Sequence, residues 1–231
     1  MARPNPPTRE AEGCCDAAPG GTRRRLVWIP IVHTQADLGS LGESIRDLYA
    51  RRYGTARWEE RLRSVEELWE RIRDEIARLD LDYGRVRLYQ DGLPDCGHEA
   101  AIVRDLAQAG SQNHQLLAAL MARGARIMGT ESPELLIGEY ELMRGILGAM
   151  KCGKAHGLTP QEKELSTSIL QRRDRHIAER INATLCEGET GLLFLGMLHC
   201  VEGLLPATVQ VVRLFSPSLP GLPRVPNPAG G

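Results

Sequence analysis

Residues 192–199 read Leu-Leu-Phe-Leu-Gly-Met-Leu-His, and residues 26–33 read Leu-Val-Trp-Ile-Pro-Ile-Val-His. Both stretches are almost continuously apolar until they reach a histidine, which is typical of strands that are covered on both faces in a parallel sheet. Pro30 cannot donate a hydrogen bond to a neighbouring strand, so it predicts incomplete pairing or a bulge at that point. The two stretches together favour an α/β fold.

Three shorter segments complete the predicted sheet, and helical patterns lie between the strands. The further strand candidates are residues 86–91, 125–129 and 209–215. Apolar periodicity and capping residues predict helices over 41–51, 57–79, 98–109, 113–123, 133–150 and 160–187. Strands that alternate with helices predict an α/β domain with a mostly parallel central sheet flanked by helices.

The two ends of the chain differ in composition from its interior. Residues 1–24 are rich in Pro, Gly, Ala and Arg, and residues 216–231 contain five prolines. Such segments bury too little apolar surface to order themselves. We therefore predict disordered tails at 1–24 and 216–231 around a single α/β domain at 25–215.

Composition excludes several classes of partner. A net charge of −1 and an aromatic content of 4% disfavour a nucleic-acid-binding protein. No apolar run approaches the roughly 18 residues that cross a bilayer, so we expect no membrane partner. The six cysteines are scattered and form no C-x-x-C pair, which favours a reducing cytoplasm. The sequence gives no indication of oligomeric state.

Each of the four main strand candidates leads into a polar residue that can act as a ligand. Three of them end at His33, Asp91 and His199, and the segment 125–129 is followed by Glu131. Because the carboxyl ends of parallel strands share one edge of a sheet, we expect these side chains to lie together. Two imidazoles and two carboxylates suit zinc, manganese or iron, and equally a metal-free acid–base pair.

The helix predicted at 160–187 carries two charged residues on its apolar side. Arg173 lies four residues from Ile169 and from Ile177, with Asp174 beside it, so both charges point within the apolar arc. Buried charges require partners. One interpretation is a structural Arg–Asp pair that attaches the helix to the sheet. In the other, Arg173 holds a catalytic carboxylate or a substrate anion.

Three further residues are candidates for binding substrate. Gly196, three positions before His199, allows close approach of a neighbouring strand or a ligand. Asp37 is either a cap of the next helix, as Ser40 could be, or a ligand. His98 either begins a helix or joins the site, since it follows the strand that ends at Asp91.

Part of this pattern resembles a known superfamily. Residues 173–178, Arg-Asp-Arg-His-Ile-Ala, precede a strand that ends in Gly196-Met197-Leu198-His199. This resembles the C-terminal signature of the TraB/PrgY/Tiki superfamily, in which an Arg-Asn or Arg-Asp helix precedes a strand ending in G-x-x-H. Pro30-Ile31-Val32-His33 is similar to the earlier G-x-x-H of that superfamily, with Pro in place of Gly. Gly129-Thr130-Glu131 is similar to its Gly-x-Glu.

The resemblance implies an α/β fold but several activities. Tiki-like members are metal-dependent peptidases that use the paired histidines, erythromycin-esterase-like relatives activate water with a histidine, and ChaN-like relatives bind haem. We therefore expect a metal-assisted hydrolase of peptide or ester bonds, or alternatively a non-catalytic module that binds haem, a metal or an anionic small molecule. The expected metal ligands are His33, Asp91, Glu131 and His199, and the expected catalytic residues are His33, Glu131, Arg173 and Asp174.

Overall fold

The computed structural model describes residues 23–33, 37, 39–153 and 157–215 of the 231-residue chain. Within them, five parallel strands form one sheet in the order β3-β2-β4-β1-β5. The strands are β1 (Arg24–Ile31), β2 (Val86–Gln90), β3 (Arg126–Met128), β4 (Thr190–Gly196) and β5 (Val209–Arg213). This confirms the predicted α/β class. The predicted tails lie outside the described residues, apart from Arg23 and Arg24.

Six α-helices accompany the sheet within the described residues. They are α1 (Gly42–Tyr53), α2 (Thr55–Ala77), α3 (Glu99–Gln108), α4 (Gln112–Ala122), α5 (Pro133–Lys151) and α6 (Pro160–Thr184). Thr159 and Glu162 form the capping box that begins α6, as the sequence predicts. The helix ends at Thr184 rather than at 187, because Leu185 already adopts the extended conformation that leads towards β4.

The sheet separates two apolar layers. Strand residues such as Leu88 and Phe194 pack against α2, α3 and α4 in one buried cluster. Their neighbours in the chain, Tyr89 and Leu193, point to the opposite face and pack against α6. Both faces are therefore covered, which explains why β1 and β4 are almost continuously apolar.

Pro30 lies where the sheet tolerates it. β1 pairs with β4 from Arg25 to Ile31, but its pairing with β5 ends at Trp28. Pro30 therefore has a strand neighbour on one side only, which matches the incomplete pairing expected from the sequence.

Two observations bear on the expected environment. None of the described helices combines the length and the apolar character needed to cross a membrane. Cys96, Cys152 and Cys200 are free thiols, whereas Cys186 takes part in a disulfide. The cytoplasmic location stays a prediction.

Candidate functional site

The order of the strands brings the predicted site residues together. β3, β2, β4 and β1 are adjacent and parallel, so the segments that follow them leave the same edge of the sheet. These segments carry Glu131, Asp91, His199 and His33, in that order across the sheet. Residues separated by up to 166 positions therefore lie at one edge, as the sequence predicts.

Asp91 is the centre of the site. Its Oδ2 atom accepts a hydrogen bond from the Gly196 backbone N–H at 2.9 Å, and it lies 3.2 Å from His33 Nε2 and 3.5 Å from His199 Nε2. Its Oδ1 atom accepts from Arg173 Nη2 at 2.7 Å. Burial alone would raise the pKa of Asp91, but the two histidines hold it well below its usual range. Asp91 is therefore an ionised carboxylate shared by four donors.

Arg173 reaches this edge from the middle of α6 and joins three carboxylates. Its Nε and Nη2 atoms donate to the two oxygens of Glu131 at 3.1 and 2.6 Å. Its Nη1 atom donates to Glu139 at 2.5 Å, while Nη2 also reaches Asp91. Because these carboxylates outweigh the effect of burial, the pKa of Arg173 is raised. Arg173 thus holds acidic side chains at the site rather than pairing with Asp174.

Asp174 holds the second histidine. Its Oδ1 atom lies 2.5 Å from His199 Nδ1, and its Oδ2 atom accepts from the Cys200 backbone N–H at 3.0 Å. Burial alone would lower the pKa of His199, but its contacts with Asp174 and Asp91 raise it to about 9. At neutral pH His199 is therefore protonated, and both ring nitrogens face a carboxylate.

His33 lies at the solvent-facing side of the site. Its side chain is 35% exposed, whereas those of Asp91, Arg173 and His199 are almost completely buried. Burial lowers the pKa of His33, but the hydrogen bond and the charge of Asp91 outweigh this effect, so the pKa is raised overall. The imidazole that meets solvent is therefore oriented and made more basic by the buried carboxylate behind it.

The same residues satisfy the simplest requirements of a metal site. One ligand atom each from Asp91, Glu131 and His199 can be chosen so that all three lie within 4.8 Å of one another. Two carboxylates and an imidazole are suitable donors for zinc, manganese or iron. Binding requires His199 to lose a proton and Arg173 to release part of its contact with the carboxylates.

The sequence interpretation missed Glu139. This residue lies on α5, and its side chain is 35% exposed where it meets Arg173. A signal was available, since Glu139 is four residues after Leu135 and seven before Ile146, both of which are buried. Glu139 gives the site a fourth carboxylate beside Asp91, Glu131 and Asp174.

The three candidate substrate-binding residues have different surroundings. Gly196 donates its N–H to Asp91, and a Cβ atom at this position would lie 2.9 Å from Asp91 Oδ2. Close approach therefore requires glycine here. His98 is exposed at the N-terminus of α3 and contributes no hydrogen bond or ion pair to the network.

Asp37 does not cap α1. Its carboxylate turns inwards and accepts a hydrogen bond from Ser111, and it lies 3.5 Å from His114 Nδ1. Ser40 does not cap the helix either, because its hydroxyl bonds Tyr140 at 2.9 Å and α1 begins without a side-chain cap. The expectation of capping by Asp37 or Ser40 was wrong, since the chain enters α1 through a short 3₁₀ turn at Gly39–Leu41.

Comparison of the chain with known proteins identified no relative. No protein-family model, no curated protein and no solved structure matches the chain.

Proposed function

We propose that this chain hydrolyses ester or peptide bonds at the carboxyl edge of its sheet, and that a divalent metal assists the reaction. The observation that carries the proposal is the bonded network around Asp91, which joins two histidines, an arginine and further carboxylates at an edge where α/β proteins place their sites. The resemblance to the TraB/PrgY/Tiki superfamily supports the reaction class.

His33 acts as the general base in this proposal. Its Nε2 atom is engaged by Asp91, which leaves Nδ1 to accept a proton from a water molecule at the exposed side of the ring. Asp91 stabilises the imidazolium that results. The buried network keeps Asp91 ionised, so this stabilisation is present before the proton moves.

Arg173 and Asp174 orient the groups that surround the reaction. Arg173 holds Glu131 and Asp91 in fixed positions, and Asp174 fixes the ring of His199. Asp91, Glu131 and His199 would hold the metal, with His33 beside them at the rim. A bound divalent metal would lower the pKa of a coordinated water and polarise the carbonyl of the substrate.

The test combines metal analysis with turnover. Protein purified without chelator is analysed for zinc, manganese and iron, and is assayed against panels of activated esters and of peptides. We expect close to one metal per chain, together with a fall in kcat of at least about 100-fold in His33→Gln and His199→Ala. Arg172→Lys, an exposed neighbour of Arg173 on α6, is the control and should behave as the wild type.

Two results would contradict the proposal. Full activity in His33→Gln would show that His33 is not the general base. Uptake of a ligand with no turnover, such as haem giving a Soret band, would instead indicate the binding module considered as the alternative.

A further inference from the structure

A second buried polar cluster lies beside the candidate centre, and the proposed mechanism does not use it. Asp37 follows His33 by four residues, and its Oδ1 atom accepts a hydrogen bond from the Ser111 hydroxyl. Ser111 Oγ also lies 2.7 Å from His114 Nδ1. The side chains of Asp37 and His114 are 3% and 7% exposed, and Ser111 is completely buried. Sequestering a carboxylate in this way is costly unless its partners are well placed.

The partners of Asp37 belong to a rigid element. Ser111 is the N-cap of α4, and its hydroxyl accepts the backbone N–H of His114 at 3.2 Å. Leu117 and Leu120 of the same helix are buried in the core against the sheet. α4 begins at the carboxyl edge, because β3, which follows it, begins at the opposite edge. The cluster therefore attaches Asp37 to a core helix.

The side chain of His33 makes few contacts that would hold it in place. Its described side-chain hydrogen bond is the one to Asp91 at 3.2 Å, and about a third of the side chain is exposed. Four residues of chain span at most about 14 Å. Anchoring Asp37 on α4 therefore limits how far the backbone of His33 can move away from Asp91.

We propose that Asp37, Ser111 and His114 are positioning residues, which hold His33 in its hydrogen-bonding position beside Asp91 from a distance. This inference rests on the proposed function to the extent that it takes His33 as the base. The cluster is not itself a catalytic Ser–His–Asp group. The Ser111 oxygen is completely buried and already bonds both the His114 N–H and Asp37.

Two variants remove the anchor. His114→Leu leaves the Asp37 carboxylate in place, whereas Asp37→Asn also removes a negative charge that raises the pKa of His33. In Asp37→Asn and His114→Leu we expect kcat to fall at least about tenfold with KM nearly unchanged, because a mispositioned base slows the chemical step rather than binding. His114→Asn places an amide nitrogen near the position of Nδ1 and should restore most of kcat. Gln115→Leu changes the adjacent, exposed residue of α4 and serves as the control.

A second readout does not depend on turnover. Carbethoxylation of His33 by diethyl pyrocarbonate is followed by peptide mass spectrometry, with the exposed His98 of the same chain as the internal reference. We expect the ratio of the His33 rate to the His98 rate to rise at least about threefold in His114→Leu, because a ring that leaves Asp91 is neutral at lower pH, and to return in His114→Asn. If His114→Leu does not fold, Ser111→Ala, which breaks the cluster and keeps the Asp37 carboxylate, decides the question.

The outcomes separate this inference from the proposed function. Variants that lower only the melting temperature, with kcat and His33 reactivity as in the wild type, would show a merely structural cluster and overturn the inference. Wild-type protein without hydrolytic activity would overturn the proposed function. In that case the His33 reactivity ratio still decides whether the cluster positions the ring.

Discussion

Two arginine–glutamate pairs join elements at opposite edges of the same sheet. At the amino edge, Nε and Nη2 of Arg87 donate to the two oxygens of Glu189 at 2.9 and 2.8 Å. At the carboxyl edge, the same two atoms of Arg173 donate to Glu131 at 3.1 and 2.6 Å. The bonding of the two pairs is nearly the same.

Their surroundings differ. Glu189 accepts a further hydrogen bond from a backbone N–H and lies within the positive field of Arg126, so cationic groups dominate around this carboxylate. Arg173 instead contacts Asp91 and Glu139 in addition to Glu131. Bidentate geometry alone therefore does not separate a structural ion pair from a site. An excess of buried carboxylates over cationic side chains does distinguish the two, because the excess negative charge needs protons or a bound cation to balance it.

Removal of each arginine should give the largest difference between the edges. Arg173→Leu leaves buried Asp91 and Glu131 without their cation, so we expect a loss of about 3–5 kcal/mol in the free energy of unfolding. Arg87→Leu leaves Glu189 partly in contact with water, and we expect a loss of about 1 kcal/mol. Urea unfolding measures both.

Arg172→Leu is the matched control for these two variants. Arg172 is exposed beside Arg173 on α6, so its replacement should change the free energy of unfolding by less than about 0.5 kcal/mol. Equal losses in Arg173→Leu and Arg87→Leu would remove the distinction between the two edges.

Alkaline pH should weaken the carboxyl edge and spare the amino edge. The pKa of His199 is raised from 6.5 to about 9 in the folded protein, so its contribution to stability is complete below pH 6.5 and is lost as pH rises through 9. At about 1.4 kcal/mol for each pKa unit, the loss is on the order of 3 kcal/mol. The pKa of Glu189 is lowered, so its contribution is lost only as pH falls through the acidic range.

Urea midpoints between pH 6.5 and 10 check this dependence. His199→Gln cannot titrate and should show a flatter alkaline decline than the wild type, whereas His98→Gln should follow the wild type. Parallel curves for the wild type and His199→Gln would mean that His199 is not held as an imidazolium.

The edge that carries the site could be predicted from sequence because two local signals are strong there. The apolar runs of β1 and β4 predict a sheet covered on both faces, and parallel strands place their following residues at one edge. His33 and His199 come together for this reason. The spacing of Arg173 within α6 likewise predicts a charge directed at the sheet.

The remaining contacts depend on how helices lie against the sheet, which local periodicity does not specify. The spacing of Glu139 from buried Leu135 and Ile146 places it near the apolar side of α5, but this spacing does not specify Arg173 as its partner. The bond between Asp37 and Ser111 depends on where α4 begins relative to β1, and these two residues are 74 positions apart. Local spacing around Asp37 indicated a helix cap instead, because a short polar loop before a helix usually supplies one.

Metal binding should extract a proton from the carboxyl edge. Because His199 is protonated at neutral pH, a divalent metal must displace that proton to reach the imidazole, so we expect about one proton released for each metal bound. Apparent affinity for manganese or zinc should then increase about tenfold for each unit by which the pH is raised, up to about pH 9. Calorimetry in two buffers of different ionisation enthalpy measures the proton count.

Two carboxylate variants control the metal titration. Asp91→Asn should abolish tight binding, and Asp105→Asn, at an exposed position of α3, should leave it unchanged. Affinity that does not depend on pH would indicate that the metal binds without His199.

Two glycines of β4, one near each edge, leave no room for a side chain. A Cβ atom at Gly191 would lie 2.6 Å from Leu26 Cδ1 in the core, and at Gly196 it would lie 2.9 Å from Asp91 Oδ2. We expect Gly191→Ala to cost about 1–3 kcal/mol of stability without altering kcat per folded molecule. Gly196→Ala should also cost about 1–3 kcal/mol, because the added methyl group pushes the buried Asp91 carboxylate away from its partners, His33 among them.

The glycine pair therefore tests whether the carboxyl edge is built for positioning rather than for packing. Turnover and urea unfolding are measured on both variants and on Gly145→Ala, where a Cβ on α5 meets nothing within 4 Å and should stabilise the helix slightly. Gly196→Ala should lower kcat per folded molecule at least about tenfold, unlike Gly191→Ala, since the base that we propose at His33 loses its oriented partner. A Gly196→Ala protein with wild-type kcat would mean that the approach of β4 to Asp91 serves packing, as it does at Gly191.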